Sequence, residues 1–261
     1  FVPEPEIVNA KNFGVPQNRE RIYIVGFHKS TGVNSFSYPE PLDKIVTFAD
    51  IREEKTVPTK YYLSTQYIDT LRKHKERHES KGNGFGYEII PDDGIANAIV
   101  VGGMGRERNL VIDHRITDFT PTTNIKGEVN REGIRKMTPR EWARLQGFPD
   151  SYVIPVSDAS AYKQFGNSVT IPVIEEMALF MLSCFKKMTK AQANLLLELA
   201  WSQDTITRRD VIESLRVSNN RANYLLRKMK NAGFLIPIVT KGRGAKYKAG
   251  VTRGTKINIE E

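Results

Sequence analysis

Two arginines near the start of this 261-residue chain have the type and spacing to hold an anion. They lie in residues 17–21, with Gln17 in front, and precede the apolar run of residues 22–27. Side chains alternate along a strand, so Arg19 and Arg21 would point to one side. Two guanidinium groups on one face can grip a phosphate or a carbonyl oxygen through forked hydrogen bonds. The alternative is a pair of solvent-facing arginines on an exposed strand.

Few side chains could serve as a nucleophile or as metal ligands. Cys184 is the only cysteine, which excludes a disulfide framework and a cysteine-rich zinc site. A thiolate can attack a base, but Cys184 lies in the apolar run of residues 179–185. His74 and His78 stand four residues apart, as metal ligands on a helix can. No carboxylate motif accompanies them, so a solvated basic helix is the preferred interpretation and no metal is expected.

Two further segments combine turn residues with hydrogen-bonding side chains. Thr138 can cap a helix that has Pro139 at its first position, and Glu141 completes a capping box. That helix leads into Leu-Gln-Gly-Phe-Pro at residues 145–149. The second segment is Gly-Asn-Ser-Val at residues 166–169, where the glycine permits close backbone approach and Asn and Ser can hydrogen-bond a ligand.

The elements that must position these residues follow from periodicity, caps and glycines. Strands are predicted at residues 22–27 (buried), 96–101 and 109–113, and helices at 61–79, from Thr138 to Gly147, and at 172–187. A two-stranded sheet cannot be stable alone, so the first strands must pack on something else. No apolar stretch is expected to reach the length of a membrane span.

In this order, the three segments resemble the C-terminal half of a cytosine-C5 DNA methyltransferase. The resemblance covers roughly residues 5–187 and implies an incomplete class I methyltransferase lobe with an irregular, β-rich target-recognition domain. That family flips a cytosine out of duplex DNA. A cysteine adds to C6, a glutamate protonates the ring nitrogen, and S-adenosylmethionine methylates C5.

The resemblance also assigns roles to individual residues. Gln17, Arg19 and Arg21 would support the flipped cytosine and its phosphate, and residues 166–169 would line the S-adenosylmethionine pocket through Asn167, Ser168 and Val169. The family's glycine motif, Pro-Cys dipeptide and Glu-Asn-Val motif are absent from this sequence. Cys184 has no proline before it and no glutamine after it, so the nucleophile is expected to come from a second polypeptide.

The variable region, about residues 75–125, is expected to read the DNA sequence. Residues 78–87 look like the recognition domains of bacterial enzymes that act within CCGG or CC(A/T)GG sites, although Ala98-Ile99 departs from their usual Thr followed by an aliphatic residue. The candidate DNA contacts in this region are Lys81, Asn83, Arg106 and Arg108. Each arginine could read guanine or simply contact a phosphate.

The C-terminal segment holds all of the excess positive charge. The formal net charge is +9, and residues 186–261 contain 16 Lys and Arg against 6 Asp and Glu. Three predicted helices followed by a β-hairpin are typical of a winged helix, and the charge favours double-stranded DNA as the partner over protein docking. The candidate contacts are Asn219, Asn220, Arg221 and Arg227 on the third helix, and Lys241 and Arg243 at the hairpin tip.

The sequence therefore predicts an α/β chain in four segments. Residues 1–29 are strands of the catalytic lobe, 30–165 the target-recognition domain, 166–187 the return to the lobe, and 189–261 a winged helix (α+β). The expected function is the target-recognition part of a split DNA (cytosine-5)-methyltransferase of restriction-modification type, cytoplasmic, nucleoid-associated and bacterial. The alternatives are an inactive DNA-binding regulator that retains a methyltransferase remnant, and one part of a single-chain enzyme.

Overall fold

The chain divides into two units, each made of separate stretches of sequence. The motif unit comprises residues Ile7–Tyr23 and Pro41–Ile174, and the C-terminal unit comprises Phe1–Glu6, Ile24–Glu40 and Glu175–Glu261. The computed structural model describes residues 1–42, 44–84, 86–102, 105–122, 125, 127–185, 188–239 and 245–255, apart from the side chain of Asn220. The four-segment functional division stays a prediction.

Helices and strands alternate irregularly along the chain, in the mixed α/β class that the sequence predicts. The strands are β1 (Glu6–Asn9), β2 (Gln17–Asn18), β3 (Glu20–Tyr23), β4 (Ala96–Asn97), β5 (Leu110–Ile112), β6 (Ile134–Lys136), β7 (Ile206–Thr207), β8 (Leu235–Val239) and β9 (Lys246–Ala249). The α-helices are α1 (Thr65–Glu79), α2 (Pro139–Leu145), α3 (Asp158–Asn167), α4 (Ile171–Cys184), α5 (Lys190–Ser202), α6 (Arg208–Leu215) and α7 (Asn219–Asn231). Short 3₁₀ helices lie at Ala10–Phe13, Lys29–Thr31, Phe48–Asp50, Thr59–Tyr61 and Glu107–Asn109.

The strands among the described residues form small sheets. β1 pairs with β3, and β2 runs parallel to β4 with Gln17 opposite Ala96. β5 and β6 are antiparallel, which places Val111 opposite Arg135. The C-terminal unit has a three-stranded antiparallel sheet in the order β7-β9-β8. These pairings bring segments that are distant in sequence to the places where the motifs lie.

Side-chain caps fix where several helices begin. Ser64 accepts a hydrogen bond from the backbone nitrogen of Tyr67 at the start of α1. Thr138 and Glu141 form the predicted capping box of α2. The other capping residues are Thr189, Thr207 and Ser218, which begin α5, α6 and α7. A cap needs only residues within three positions, which is why these starts could be predicted.

The core of the motif unit lies around α2 and α3. Trp142 and Leu145 of α2 are fully buried. Trp142 meets Tyr162 of α3 edge-on at 4.9 Å between ring centroids. The further core residues are Phe48, Ile51, Ile90, Ala96, Ile99, Val111, Met137, Ala143, Ala161 and Phe165. This core holds the ends of α2 and α3 against each other, and both ends carry motif residues.

Several predicted elements differ from those observed. The buried strand expected at 22–27 is instead β3, which ends at Tyr23, and Ile22 is 62% exposed. Helix α3 was not predicted, and it contains Gly166 and Asn167, which were assigned to a turn. The strand predicted at 96–101 is reduced to the two residues of β4. Packing rather than local pattern decides each of these cases.

One stretch of the described chain, Asp158–Cys184, is long and apolar enough to cross a membrane by length and composition alone. The expectation that no stretch reaches this length is therefore wrong. The stretch comprises α3 and α4, and it includes the buried core residues Phe165, Val173 and Met177. Core helices of folded proteins pass the same test, so the finding carries little weight.

The C-terminal unit has a separate core. Helix α7 contributes four buried residues to it, Ala222, Leu225, Leu226 and Met229. They pack with α5, α6 and the sheet through Ala193, Leu196, Leu197, Ala200, Ile206, Val211 and Leu235. These four residues lie on one face of α7, so its opposite face points away from this core.

Candidate active site

Gln17 is fully buried and ties together three parts of the motif unit. Its Nε2 donates to the carbonyl oxygen of Leu145 at 2.9 Å and lies 3.4 Å from Oε1 of Gln146. Its Oε1 accepts from the backbone nitrogen of Ile99 at 3.0 Å. A side chain without exposed surface cannot touch a base, so the predicted direct contact of Gln17 is corrected to a positioning role.

Arg19 is likewise buried, and it binds the backbone of the third motif. Nη2 donates to the carbonyl oxygen of Ser168 at 3.2 Å and to that of Gly166 at 3.4 Å, while Nη1 donates to the carbonyl oxygen of Ile99 at 2.9 Å. Burial and the neighbouring charge of Arg21 lower the pKa of the Arg19 guanidinium. All these acceptors are backbone oxygens, so Arg19 holds the site together.

Arg21 is the arginine of the pair that faces solvent. It lies in β3, is exposed, and donates through Nη1 to the carbonyl oxygen of Glu20 at 2.6 Å. Arg19 lies between β2 and β3 rather than within a strand. The prediction that both arginines share one strand face is therefore wrong, and Arg21 is left as the guanidinium that can meet a phosphate or base.

Gln146 is the centre of the site, and the sequence analysis did not single it out. Its Nε2 donates to the carbonyl oxygen of Phe165 at 2.8 Å, and its Oε1 accepts from Oγ1 of Thr170 at 2.9 Å. Its backbone oxygen accepts from the nitrogen of Ile171 at 2.8 Å. Buried polar groups must find partners. The sequence signal that could have pointed to Gln146 was its position within the segment Leu-Gln-Gly-Phe-Pro. Gln17, Arg19, Gln146 and Ser168 form the motif network, in which all three motifs meet.

The C-terminal end of α3 presents the predicted cofactor residues. Asn167 is exposed, and Val169 is 57% exposed. Ser168 is half-buried, and its Oγ donates to the carbonyl oxygen of Phe165 at 2.8 Å. At Gly166 a Cβ would lie 2.6 Å from Cγ2 of Val101, so close packing requires glycine there.

The sequence-reading candidates of the variable region are exposed. Lys81 and Asn83 follow α1, and Arg106 and Arg108 flank the buried Glu107. Glu107 accepts from the hydroxyl of Tyr67 at 3.2 Å and lies 3.0 Å from Nζ of Lys136. The carboxylate thus anchors the segment and leaves both arginines free to face a ligand.

Arg106 borders a cleft that the sequence did not predict. The cleft has a volume of 560 Å³, and its lining includes Lys60, Tyr61, Tyr67, Arg106, Lys136, Asp158 and Tyr162. The guanidinium of Arg106 lies 5.2 Å from the ring centre of Tyr162. Burial raises the pKa of Tyr61 and of Tyr67 to about 12, so both phenols stay protonated at neutral pH. Aromatic rings between cations suit a nucleic acid strand.

The candidates on α7 are less available than the sequence suggested. Arg221 donates to Oε1 of Gln192 at 3.1 Å. Arg227 donates to the carbonyl oxygen of Tyr38 at 2.9 Å and to Glu40 at 2.8 Å. The expectation that both arginines are exposed is therefore wrong, because each has partners within the C-terminal unit. Asn219 is half-buried, and the side chain of Asn220, together with Lys241 and Arg243, lies outside the described residues.

A buried ion cluster supports α2, and no local pattern in the sequence predicts it. Arg135 has no exposed surface and binds Glu141 through two hydrogen bonds of 2.7 and 2.8 Å. Its Nε also donates to Asp113 at 3.0 Å, and Arg115 reaches the same carboxylate at 2.7 Å. Burial works to raise the pKa of Asp113, but the two arginines outweigh it and hold that pKa well below its usual range.

Residues 1–182 match the family model described as C-5 cytosine-specific DNA methylase. That match covers well over half of the chain. The chain belongs to this family.

The chain is also similar to curated relatives and to a solved structure. The type II methyltransferase M.HpaII of Haemophilus parainfluenzae is 97% identical over 175 residues, which are 67% of this chain and 49% of the relative. M1.ScrFI of Lactococcus lactis subsp. cremoris is 38% identical over 70% of this chain and 44% of its own. The chain spans about half the length of these relatives. The Entamoeba histolytica methyltransferase EhMeth is 16% identical, with a TM-score of 0.48 over 70% of this chain and 54% of its own.

For a C-5 cytosine-specific DNA methylase, the environment of Cys184 is wrong for a nucleophile. The thiol is half-buried near the end of α4, and its Sγ lies 3.4 Å from the carbonyl oxygen of Phe180. Burial raises the pKa of the thiol, which disfavours the thiolate that attacks. Cys184 is thus a packing residue of this methylase chain.

His74 and His78 contact each other on α1, with ring centroids 4.4 Å apart. Within the described part of the methylase chain, no three His, Cys, Asp or Glu side chains converge as metal ligands would.

Proposed function

We propose that this chain is the target-recognition and cofactor-side part of a DNA (cytosine-5)-methyltransferase of restriction-modification type. The motif network carries the proposal. Gln17 and Arg19 reach Gln146 and Ser168 from more than a hundred residues away. Such buried polar contacts are costly unless every partner is in place. Their completeness supports a site maintained for use, with Arg21 presented to the flipped cytosine and its phosphate.

A second segment must supply the catalytic cysteine, either as a separate polypeptide or as another part of a longer protein. The apolar surface at the first strands supports this requirement. Ile7 in β1 is 68% exposed, and Ile22 in β3 is 62% exposed. Two paired strands with exposed isoleucines are not stable in water by themselves. The missing segment would cover them and place its cysteine opposite Arg21.

S-adenosylmethionine is the proposed cofactor, and it would supply the methyl group. Asn167 would hydrogen-bond its amino acid end through the exposed side-chain amide, and Val169 would provide an apolar contact. Ser168 keeps its hydroxyl oxygen available as an acceptor while its hydrogen goes to Phe165. These residues would form one side of the pocket, and the second segment would form the rest.

Duplex DNA is the proposed substrate, with the variable region reading its sequence. Arg106 is exposed beside the cleft, and Arg108, Lys81 and Asn83 are exposed on the same unit. A guanine contact by an arginine would discriminate between bases, whereas a phosphate contact would not. CCGG and CC(A/T)GG duplexes are the first targets to compare.

The C-terminal unit is proposed to be a winged helix that adds affinity for DNA. Its elements follow the order α5, β7, α6, α7, β8, β9, which is that of a winged helix with a three-stranded sheet. The positive charge of residues 186–261 supports a polyanion as partner.

The test mixes this chain with a segment that carries the family's catalytic cysteine and measures transfer of a labelled methyl group to duplex DNA. Neither segment should act alone, and the mixture should. Arg21→Ala should lower the rate of the mixture at least a hundredfold, about 2.7 kcal/mol, while DNA affinity changes less than fivefold. Arg72→Ala is the control, because Arg72 is exposed and pairs with Glu132 at 2.7 Å. Methylation by this chain unaided would refute the proposal.

A DNA-binding regulator without catalytic activity is the second candidate, and the environment of Cys184 is the observation that favours it. Under that hypothesis no cysteine-bearing segment restores methyl transfer, although the chain binds duplex DNA. Arg21→Ala would then behave like Arg72→Ala in every assay.

A further inference from the structure

The outward face of α7 is covered by other parts of the C-terminal unit. In a winged helix this is the face that would enter a DNA groove. Here Tyr224, Arg227 and Asn231 line one side of a 230 Å³ cavity. The opposite side is lined by Phe1, Asn34, Ser35, Phe36, Ser37, Phe180, Ser183 and Cys184. Tyr224 and Arg227 on this face are therefore half-buried, whereas Asn231 is exposed.

Arg227 makes the contacts that hold this face closed. One guanidinium nitrogen donates to the carbonyl oxygen of Tyr38 at 2.9 Å, and the other donates to Oε1 of Glu40 at 2.8 Å. The guanidinium also lies 5.7 Å from the ring centre of Phe180. A carboxylate and a carbonyl thus occupy the donors that would otherwise bind the oxygens of a DNA phosphate.

The ionic contact of the closure is weak enough to be exchanged for another. The side chain of Glu40 is 61% exposed and that of Arg227 is 22% exposed. An ion pair this accessible to water contributes little. A DNA duplex presents a dense row of phosphates whose binding releases counterions, so it can displace a single carboxylate from Arg227.

We propose that residues 34–40 act as an autoinhibitory segment, which we call the cover segment, and that it competes with duplex DNA for the outward face of α7. The proposal rests on the proposed function in one respect, because it requires the C-terminal unit to bind DNA. In the closed form Glu40 neutralises Arg227. In the open form the phosphate backbone replaces Glu40, and the cavity beside Tyr224 opens.

Glu40→Gln in the full chain tests the competition. The matched control is Glu213→Gln, which removes one carboxylate that pairs with an arginine, Arg209, at 2.8 Å in the same unit. Affinity for a duplex without any methylation site is measured across a range of salt concentrations. Glu40→Gln should bind about two- to fivefold more tightly than Glu213→Gln, the factor expected from loss of an exposed ion pair.

The single thiol gives an independent measure of opening. Cys184 lines the cavity beneath α7, and the chain has no other cysteine. Its alkylation by iodoacetamide should be severalfold faster in Glu40→Gln than in Glu213→Gln, and saturating duplex should accelerate it severalfold in the unaltered chain.

Equal affinities of the two variants would overturn the competition, as would alkylation that DNA leaves unchanged. If no variant binds duplex at all, the DNA-binding part of the proposed function fails, and the competition fails with it. Tight binding that is the same in both variants would refute the competition but leave DNA binding by the C-terminal unit standing.

Discussion

Replacing Arg135 by methionine should test whether burial, rather than distance, sets the strength of an ion pair in this protein. Arg135 and Glu141 have no exposed surface and are joined by hydrogen bonds of 2.7 and 2.8 Å. Arg72 and Glu132 are joined at 2.7 and 2.9 Å, but their side chains are 41% and 49% exposed. The distances are nearly the same in different surroundings, although Arg135 donates through both Nη atoms and Arg72 through Nη2 alone.

The expected costs differ severalfold. Removing Arg135 leaves Glu141 buried without its counter-charge and takes one arginine from Asp113, and breaking a buried pair in this way costs about 3–5 kcal/mol. Arg72→Met should cost about 0–1 kcal/mol, because water solvates the carboxylate that is left. With a urea dependence of about 2 kcal/mol per molar, Arg135→Met should lower the unfolding midpoint by about 1.5–2.5 M.

The assay is urea unfolding followed by tryptophan fluorescence. The chain has two tryptophans, and Trp142 lies in the core of the motif unit. A Trp201→Phe background therefore reports on the motif unit alone. Adding Glu141→Gln to Arg135→Met should recover part of the loss, because a neutral amide tolerates burial better than an unpaired carboxylate. Equal midpoint shifts for Arg135→Met and Arg72→Met would refute the reasoning.

Three further predictions concern pH, backbone geometry and the thiol. The pKa of Asp113 is lowered in the folded state, so its contribution to stability should be complete above about pH 4 and be lost as the pH falls below that value. The difference in unfolding free energy between the unaltered chain and Asp113→Asn, measured by urea titration, should therefore shrink in acid. A difference that stays constant with pH would contradict this prediction. Gly147→Ala should lower the unfolding free energy by at least about 1–2 kcal/mol in the same titration, because φ is +79° and a Cβ would lie 2.4 Å from Cδ of Pro172. Gly32→Ala is the control, because Gly32 has a similar φ but open space around a Cβ, so it should show only the destabilisation that comes from the positive φ. Cys184→Ser should leave methyl transfer by the reconstituted mixture within twofold, and loss of all activity would show that Cys184 is the nucleophile after all.

Part of the site could be predicted because its signals are local. The capping box of Thr138 and Glu141 occupies four consecutive positions, so its residues meet whenever the helix forms. The same holds for the cap of α1 at Ser64. Motif composition also identified the family, which the match over residues 1–182 confirms.

The structural role of each motif residue could not be predicted from local signals. Alternation along a strand assigned Arg19 and Arg21 to one face, but Arg19 turns inward to oxygens of Gly166 and Ser168, which are 147 and 149 residues away. Gln146 looked like one residue of a loop motif, yet it joins all three motifs. Such roles depend on which backbone oxygens of distant segments lie close to the side chain in the folded protein. No local sequence pattern predicts those contacts.

The sequence by itself determined several helix starts, the mixed α/β class, the family and the imbalance of charge toward the C-terminus. These properties depend on residue type and on spacings of a few positions. Tertiary structure alone decided that Arg135 is buried in an ion cluster, that Arg21 rather than Arg19 faces solvent, and that Arg227 is held by Glu40. The physical reason is that desolvation and pairing are set by contacts between distant segments, so a charged residue acquires its role only when the chain has folded around it.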